Sequence, residues 1–232
     1  MQVKEAIILA GGLGTRLRPE VPDLPKCMAP VAGKPFLCHV MDYCRQQGLE
    51  RLIFSLGYRH EVIENYMLEN CFDLSFVFSV EDEPLGTGGA IKKACKLARS
   101  EHVVILNGDT LFNVNLSQMA AVHELKNADC TLALKPMKAF DRYGVVEYNS
   151  DLSVKSFREK QFYESGTING GVYILNTAHF MKEPFPDKFS FEKDYLEPYY
   201  NKRPLFAVVQ DAYFIDIGIP EDYKRAQTEL KS

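Results

Sequence analysis

The amino-acid sequence predicts an α/β domain in which helices cover both faces of a mainly parallel, mixed sheet. Over the first 135 residues, short apolar runs typical of buried strands alternate with stretches of helical periodicity. Strands that are separated by helices pair in parallel, because the crossover returns each strand in the same direction. After residue 143 the strands follow one another closely, which predicts an antiparallel addition to the sheet.

In the first half of the chain, apolar runs predict strands and periodic stretches predict the helices between them. The turn-rich residues 11–33 separate the first strand from the first helix, which has Pro35 near its start and Gly48 as its stop. The predicted strands cover residues 4–9, 51–56, 74–80, 102–106 and 130–135. The predicted helices cover residues 36–44, 61–68, 89–98 and 116–126.

In the second half, a hairpin signal opens a strand-rich region. The turn residues Asn149-Ser150-Asp151 lie between two apolar runs. The predicted strands cover residues 145–148, 154–157, 168–175 and 205–209, and a closing helix covers residues 220–230. No linker or repeat interrupts the chain, so we predict one domain over residues 1–232, with residues 1–135 and 136–232 as its halves.

The composition limits the classes of partner. With 27 Lys plus Arg against 31 Asp plus Glu the net charge is −4, so no overall basic field would collect nucleic acid or an anionic membrane. The longest early apolar run, residues 6–10, is far too short for a signal peptide or a membrane span. We therefore expect a cytoplasmic protein with neither nucleic acid nor membrane as a partner.

Cysteines and histidines indicate neither a disulfide framework nor a zinc site. The six cysteines form no Cys-x-x-Cys pair, and a long chain without an export signal favours free thiols. The five histidines are scattered, without the spacing of zinc ligands.

A glycine-rich loop directly follows the first strand and carries several cations. Three glycines in four positions, at residues 11–14, open backbone conformations that let N–H groups face an anion. The polar residues that follow are Thr15, Arg16, Arg18 and Lys26. Glycines alone would also suit a tight turn, but the accompanying charge favours phosphate binding. The loop fits neither the Walker pattern nor Gly-x-Gly-x-x-Gly.

The complete string Gly-Gly-x-Gly-Thr-Arg-Leu-Arg-Pro, followed by Pro-Lys, resembles the signature of the sugar-1-phosphate nucleotidyltransferases. The resemblance extends from Ile7 to about Tyr223. These enzymes join a nucleoside triphosphate to a sugar 1-phosphate and release pyrophosphate. The resemblance implies a Rossmann-like three-layer fold with a small β-rich sugar-binding subregion. Residues 1–135 would mainly bind nucleotide, and residues 136–232 would mainly bind the sugar phosphate.

The resemblance also implies which residues meet the nucleotide. The first loop would wrap the triphosphate, and the segment from Glu81 to Ala90 would read the base. The implied nucleotide-binding residues are Leu9, Ala10, Gly11, Gly12, Gly14, Thr15, Arg16, Lys26, Glu81, Pro84, Leu85, Gly86, Thr87, Gly88 and Asp109. Arg16, Lys26 and Asp109 would be the catalytic residues, because the two cations offset charge on the α-phosphate and the leaving pyrophosphate, and Asp109 matches a magnesium ligand. By themselves, Lys26 could be a surface cation and the second segment a strand-to-helix connection.

Two aspartates match the metal ligands of the family. Asp109 follows a buried strand in Asn107-Gly108-Asp109, and Asp216 lies in a Phe-Ile-Asp-Ile-Gly string that resembles the family's Trp-x-Asp-x-Gly. Two carboxylates, phosphate oxygens and water form a ligand set that suits Mg²⁺. Taken singly, each aspartate could instead serve as a cap or a turn residue.

The sugar-phosphate residues are implied in the same way. Glu159 would accept hydrogen bonds from sugar hydroxyls and Lys160 would hold the phosphate. The implied set is Gly144, Glu159, Lys160, Asn169 and Gly171. The implied reaction is an in-line displacement, in which the sugar phosphate is already a nucleophile and needs no general base. Solvated charges at a strand end are the plainer reading of Glu159 and Lys160.

Within the family, residues 25–37 and 84–90 are most similar to the D-glycero-α-D-manno-heptose 1-phosphate guanylyltransferases, which make GDP-heptose for bacterial surface glycans. GTP and the heptose 1-phosphate are the substrates that this similarity implies. Mannose 1-phosphate guanylyltransferase and N-acetylmuramate 1-phosphate uridylyltransferase are alternatives within the family. A metal-dependent glycosyltransferase and a non-catalytic regulatory relative are alternatives outside it. Homo-oligomer formation stays open, since the tyrosines at 195, 199 and 200 suit either an interface or the core.

Overall fold

The structure is a computed structural model that describes residues 1–71 and 74–230. In chain order its strands are β1 (Glu5–Leu9), β2 (Pro30–Val31), β3 (Lys34–Pro35), β4 (Arg51–Leu56), β5 (Ser75–Val80), β6 (His102–Asn107), β7 (Thr110–Phe112), β8 (Cys130–Phe140), β9 (Val145–Tyr148), β10 (Val154–Arg158), β11 (Tyr163–Asn176), β12 (Leu205–Val209) and β13 (Phe214–Asp216). The helices are α1 (Phe36–Gln46), α2 (His60–Asn70), α3 (Gly86–Cys95), α4 (Leu116–Leu125), α5 (Thr177–Phe180), α6 (Glu197–Tyr199) and α7 (Pro220–Glu229). A 3₁₀ turn covers Lys26–Met28 and a π-helical turn covers Phe191–Leu196.

Strands from the first half of the chain pair in parallel and form one side of the sheet. Strand β1 pairs with β4 on one side and with β6 on the other, and β5 extends the sheet beyond β4. Crossovers through α1, α2 and α3 connect these strands, as the alternating periodicity predicts. From β1 the chain adds β4 and then β5 on one side, and the next parallel strand, β6, is on the other side of β1, so the direction in which strands are added reverses between β1 and β6. In a sheet of this type, the crevice beyond the carboxyl ends at such a reversal is where ligands bind.

The second half adds antiparallel strands to the same sheet. Strand β11 is antiparallel to β6, β8 and β9, while β12 runs parallel to β8. The predicted hairpin is present, with β10 antiparallel to β9. Strands β8 and β11 are longer than predicted because they continue as a half-exposed ribbon whose residues lack the continuous apolar pattern. The sheet is therefore mixed, as expected.

Helices cover both faces, so the predicted three-layer architecture is confirmed. Ile8 of β1 packs in a cluster with side chains of α1, α2, α4 and α7. Its neighbour Ile7 points to the opposite face, where it packs with α3, α5 and the π-helical turn. Helix α3 begins at Gly86, three residues before the predicted start.

Other expectations concern side chains outside the site. The six cysteines, all within the described residues, are thiols rather than disulfide partners, as predicted. Tyr195 is 1% exposed and belongs to the core, while Tyr199 and Tyr200 pack against it. Within residues 1–71 and 74–230, no helix combines the length and the apolar character that a membrane crossing requires.

Candidate active site

The glycine-rich loop, residues 10–25, begins where β1 ends, beside the residues that follow β6. The N–H of Gly108 donates to the carbonyl of Leu9 at 2.8 Å, and the N–H of Ala10 donates to the carbonyl of Ser55 at 2.8 Å. These bonds tie the ends of three parallel strands together. As a result, Asp109 and the loop lie next to each other at the reversal of strand order.

A short two-stranded ladder brings Asp216 to the same place. Strand β13 is antiparallel to β7, and this register sets Asp216 opposite Thr110. The N–H of Ile217 donates to the carbonyl of Asp109 at 3.1 Å. The N–H of Gly218 donates to Oδ1 of Asp216 at 2.8 Å and fixes the orientation of that carboxylate. Two aspartates more than 100 positions apart in sequence thus face one site.

The ammonium group of Lys26 lies between the two carboxylates. Its Nζ donates to Oδ2 of Asp109 at 2.7 Å and to Oδ1 of Asp216 at 3.4 Å. Burial alone would lower the pKa of Lys26, whose side chain is only 12% exposed, but the two carboxylates outweigh this effect and raise that pKa. Gly14, at φ +59°, allows the approach, since a Cβ there would lie 3.0 Å from the Cβ of Lys26.

Two residues behind Asp216 support its carboxylate, and the sequence did not single them out. The hydroxyl of Tyr143 lies 3.5 Å from Oδ2 of Asp216, and the guanidinium of Arg142 lies 4.0 Å from the same oxygen. Arg142 also forms an ion pair with Asp222 at the start of α7. Burial, with the nearby Asp216, raises the pKa of Tyr143 to about 12, so this hydroxyl remains a donor at neutral pH. The resemblance implied a role for the neighbouring Gly144 but not for these partners.

One cavity is lined by Lys26 and Asp109, and it also receives the loop residues Thr15 and Arg16. Its lining residues are Leu9, Ala10, Gly12, Gly14, Thr15, Arg16, Lys26, Cys27, Asp109 and Gly218. Eight of the residues that the resemblance implied for the nucleotide are among them. Backbone N–H groups, a hydroxyl and two cations in one recess are what a polyphosphate requires.

A second cavity shares Leu9, Gly12 and Asp109 with the first and extends toward α3. Its lining residues are Leu9, Gly11, Gly12, Leu13, Ser55, Glu81, Pro84, Gly86, Thr87, Ala90, Asn107, Asp109 and Glu192. The carboxylate of Glu81 accepts the N–H of Leu85 at 2.9 Å through Oε2, and the hydroxyl of Ser55 lies 3.5 Å from Oε1. Burial raises the pKa of Glu81.

Leu85 and Gly88 do not line this cavity, although nucleotide contact was expected of both. Leu85 supplies the N–H that holds Glu81, and the N–H of Gly88 donates to the carbonyl of Phe189 at 3.0 Å. A Cβ on Gly88 would lie 2.3 Å from the ring of Phe189. This glycine therefore makes room for another part of the chain.

Glu192 was missed from the sequence because its position depends on long-range contacts. It accepts the hydroxyl of Thr87 at 2.7 Å and the hydroxyl of Ser190 at 3.1 Å, which hold it in the wall of the second cavity. The π-helical turn that carries it has no simple periodic signal. Ser55 was likewise predicted only as a strand residue, and Asn107 was noted only in the string that carries Asp109.

None of the five residues implied for the sugar phosphate is in the walls of these two cavities. Glu159 and Lys160 are exposed on the connection between β10 and β11. Asn169 donates through Nδ2 to the hydroxyl of Tyr173 at 2.8 Å. Gly171, at φ +73°, fits against Asn107, whose Nδ2 would lie 2.5 Å from a Cβ there. Tyr143, which directly precedes Gly144, connects these residues to Asp216 through the contact of its hydroxyl with Oδ2 of that carboxylate.

The two aspartates form an oxygen donor set that fits a hard divalent cation. Among residues 1–71 and 74–230, no three His, Cys, Asp or Glu side chains group as a metal cage. Asp109 and Asp216 nonetheless place one carboxylate oxygen each around a single positive group, the ammonium of Lys26. Mg²⁺ uses one or two carboxylates together with substrate phosphates and water, so two suffice.

Comparison with known proteins places the chain and its fold in a family. The family model described as nucleotidyl transferase matches residues 5–232. The chain belongs to this family. Among its nucleotidyl transferase relatives, the D-glycero-α-D-manno-heptose 1-phosphate guanylyltransferase of Aneurinibacillus thermoaerophilus is 53% identical over 227 residues, which is 98% of both chains. The enzyme of the same name from Campylobacter jejuni is 45% identical over 94% of this chain and 96% of its own.

Solved structures of a nucleotidyl transferase relative agree with this fold. HddC from Yersinia pseudotuberculosis superimposes with a TM-score of 0.90 at 39% identity, over 99% of this chain and all of that one. HddC in complex with GMP-PN superimposes with a TM-score of 0.88 at 40% identity. The predicted family, fold class and enzyme class are confirmed.

Proposed function

We propose that this nucleotidyl transferase transfers GMP from GTP to D-glycero-α-D-manno-heptose 1-phosphate and releases pyrophosphate, giving GDP-heptose. The observation that carries the substrate assignment is identity of 45–53% over almost the whole chain to relatives named for this reaction. The geometry independently supports a nucleoside triphosphate as one substrate, because a recess with two cations adjoins a pocket with an acidic wall residue. Products of this kind suit the synthesis of bacterial surface glycans.

Glu81 is the residue that we assign to the guanine base. A carboxylate has two acceptor oxygens, and guanine presents two donors, N1–H and the N2 amino group, along one edge. The Leu85 N–H orients this carboxylate in the pocket wall. Adenine presents an acceptor at its N1, which a carboxylate would repel. Selection of GTP over ATP follows from this difference.

The chemical step is an in-line displacement. An oxygen of the sugar phosphate forms a bond to the α-phosphorus, the bond from that phosphorus to the bridging oxygen breaks, and pyrophosphate leaves with the electron pair. Arg16 and Lys26 offset the charge that builds on the phosphate oxygens. Asp109 and Asp216 would hold Mg²⁺, which would add positive charge at the same oxygens.

The residues Gly144, Glu159, Lys160, Asn169 and Gly171 are proposed to bind the sugar phosphate. Support comes from their neighbours, because Tyr143 lies beside Asp216 and Gly171 lies against the cavity residue Asn107. Residues 136–232 would thus mainly serve the sugar and residues 1–135 the nucleotide. A cytoplasmic location stays a prediction, and homo-oligomer formation stays open.

A pyrophosphate-release assay tests the proposed function. GTP, ATP, UTP and dTTP are each combined, in the presence of Mg²⁺, with the 1-phosphates of the heptose, mannose, glucose and N-acetylmuramate. We expect release with GTP and the heptose phosphate, and loss of that release in Asp109→Asn. Release with GTP and mannose 1-phosphate alone would keep the chemistry and overturn the sugar assignment. Folded protein that releases pyrophosphate with no combination would overturn the proposed reaction.

A further inference from the structure

Three consecutive residues, Gly57, Tyr58 and Arg59, contact the glycine-rich loop at its beginning, its middle and its end. They follow β4 and lead into α2. The N–H of Tyr58 approaches the carbonyl of Gly11 at 3.4 Å, and the backbones at Gly57 and Gly11 pack so closely that a Cβ on Gly57 would lie 2.9 Å from that carbonyl. This first contact secures the point where the loop leaves β1.

The second contact is a cation over a ring. The guanidinium of Arg18, in the middle of the loop, lies 5.0 Å from the ring centre of Tyr58. Arg59 lies 5.7 Å from the same centre, so the ring is flanked by two guanidinium groups. Arg18 is not among the residues that line the cavity of Arg16 and Lys26. The cation–π contact of Arg18 attaches the loop to Tyr58, a role that is distinct from phosphate binding.

The third contact fixes the far end of the loop. Arg59 donates to the backbone carbonyl of Asp23, and its Nη2 lies 3.8 Å from the Asp23 carboxylate. Lys26 follows within three residues, so this contact also determines where the catalytic lysine enters the site. Residues 57–59 therefore span the whole loop.

The backbone of Arg59 adopts a conformation that is uncommon for a residue with a side chain. Its φ of +51° and ψ of +42° lie in the left-handed region, which suits glycine better than a residue with a Cβ. Neighbouring Gly57 shows that glycine is used in this turn. A non-glycine residue held in such a conformation points to a function of its side chain, here the link to Asp23 and Tyr58.

We propose that residues 57–59 form a strap that holds the glycine-rich loop ready for the triphosphate, which makes Tyr58 and Arg59 positioning residues. The inference rests on the proposed function, because it concerns the loop that binds GTP. A loop with three glycines loses much conformational freedom when it is ordered. With the strap, the loop loses this conformational entropy when the protein folds and not when GTP binds. Loss of the strap should therefore weaken GTP binding more than it lowers the turnover rate of the bound complex.

The test compares four variants. Tyr58→Leu removes the aromatic face and Arg59→Gly removes the guanidinium while suiting the left-handed backbone. Tyr58→Phe keeps the ring and should behave as the wild type. Asn127→Gly is the matched control, because Asn127 has φ +46° at the opposite edge of the sheet. Each variant is measured for kcat and KM with GTP, for amide hydrogen exchange of residues 11–25 without substrate, and for Tm.

We expect Tyr58→Leu and Arg59→Gly to raise the KM for GTP about three- to ten-fold and to speed exchange of residues 11–25, with a small change in kcat. The Tm of Arg59→Gly should change no more than that of Asn127→Gly. Unchanged exchange and unchanged KM in both variants would overturn the strap. If the wild type releases no pyrophosphate with GTP, the proposed function fails, whereas hydrogen exchange still decides whether the strap orders the loop.

Discussion

At the scale of single residues, Lys26 dominates the electrostatics of the site. It lies between two carboxylates and lines the recess that would hold the triphosphate. Its raised pKa keeps the ammonium charged throughout neutral pH, and deprotonation would begin only at strongly alkaline pH. The residue thus holds Asp109 and Asp216 in place and supplies a cation to the phosphates.

We predict that Lys26→Met lowers kcat for pyrophosphate release by about 10²- to 10³-fold, because a charge aimed at the transition state is lost. Lys135→Met is the control, since Lys135 is a comparably buried lysine whose ion pair with Asp211 lies outside the two cavities. Its turnover should stay at the wild-type level. An equal loss in both variants would mean that ion pairing in general, rather than this position, sustains activity.

Glu81 gives a second prediction at this scale. Replacement by Gln turns one of two acceptors into a donor, which no longer complements the N1–H and amino group of guanine. We expect the ratio of kcat/KM for GTP to that for ATP to fall about 10- to 100-fold in Glu81→Gln. Glu83→Gln is the control, because Glu83 is an exposed neighbour outside the cavity. A ratio that stays unchanged in Glu81→Gln would contradict the assignment.

At the scale of elements, the parallel strands and their helices could be predicted because each has a local signal. Strand β1 is continuously apolar, and α1 has helical spacing between Pro35 and a glycine. The ladder of β7 and β13 could not, since both strands have three residues and they pair across about 100 positions. Only the likeness to a family motif pointed to Asp216 before the structure placed it beside Asp109.

The N-terminus of α3 shows a different limit of sequence reading. The resemblance implied nucleotide contacts for Gly86 and Gly88, whereas Gly88 packs against Phe189 and the neighbouring Gly89 against Asp187. Nothing local to residues 86–89 predicts that packing, because the partner is about 100 positions away. The same contact carries Glu192 to the cavity through Thr87, which explains why sequence patterns missed both features together.

We therefore predict that Gly89→Ala destabilises the protein, although alanine is the better helix former by about 1 kcal/mol. A Cβ there would lie 2.1 Å from the carbonyl of Asp187, a backbone atom that cannot turn aside. The free energy of unfolding in urea should fall by about 1–3 kcal/mol. Gly12→Ala is the stability control, because nothing lies within 4 Å of its Cβ position. Greater stability of Gly89→Ala would contradict the close packing.

At the scale of the whole molecule, the edge of the sheet opposite the site has its own titrating group. His123 of α4 is 1% exposed and contacts the hydroxyl of Thr131 at 2.8 Å and the ring of His102 at 3.0 Å. Its contacts join α4, β6 and β8. Burial, with a smaller effect of His102, lowers the pKa of His123 to about 3. Protonation at this position would place a charge inside the core.

The sign of the effect on stability follows from that depressed pKa. Below about pH 6.5 the unfolded chain binds a proton at His123 that the folded chain refuses, so acid favours unfolding. We predict that this histidine lowers the free energy of unfolding by up to about 1.4 kcal/mol per pH unit between pH 6.5 and 3. His123→Gln keeps a polar group near Thr131 but cannot titrate, so urea unfolding across this range should show a flatter slope. Equal slopes in His123→Gln and the wild type would assign the acid sensitivity to other groups. Because His123 contacts the start of β6, whereas the site follows the carboxyl end of that strand, pyrophosphate release at neutral pH should be the same in both proteins.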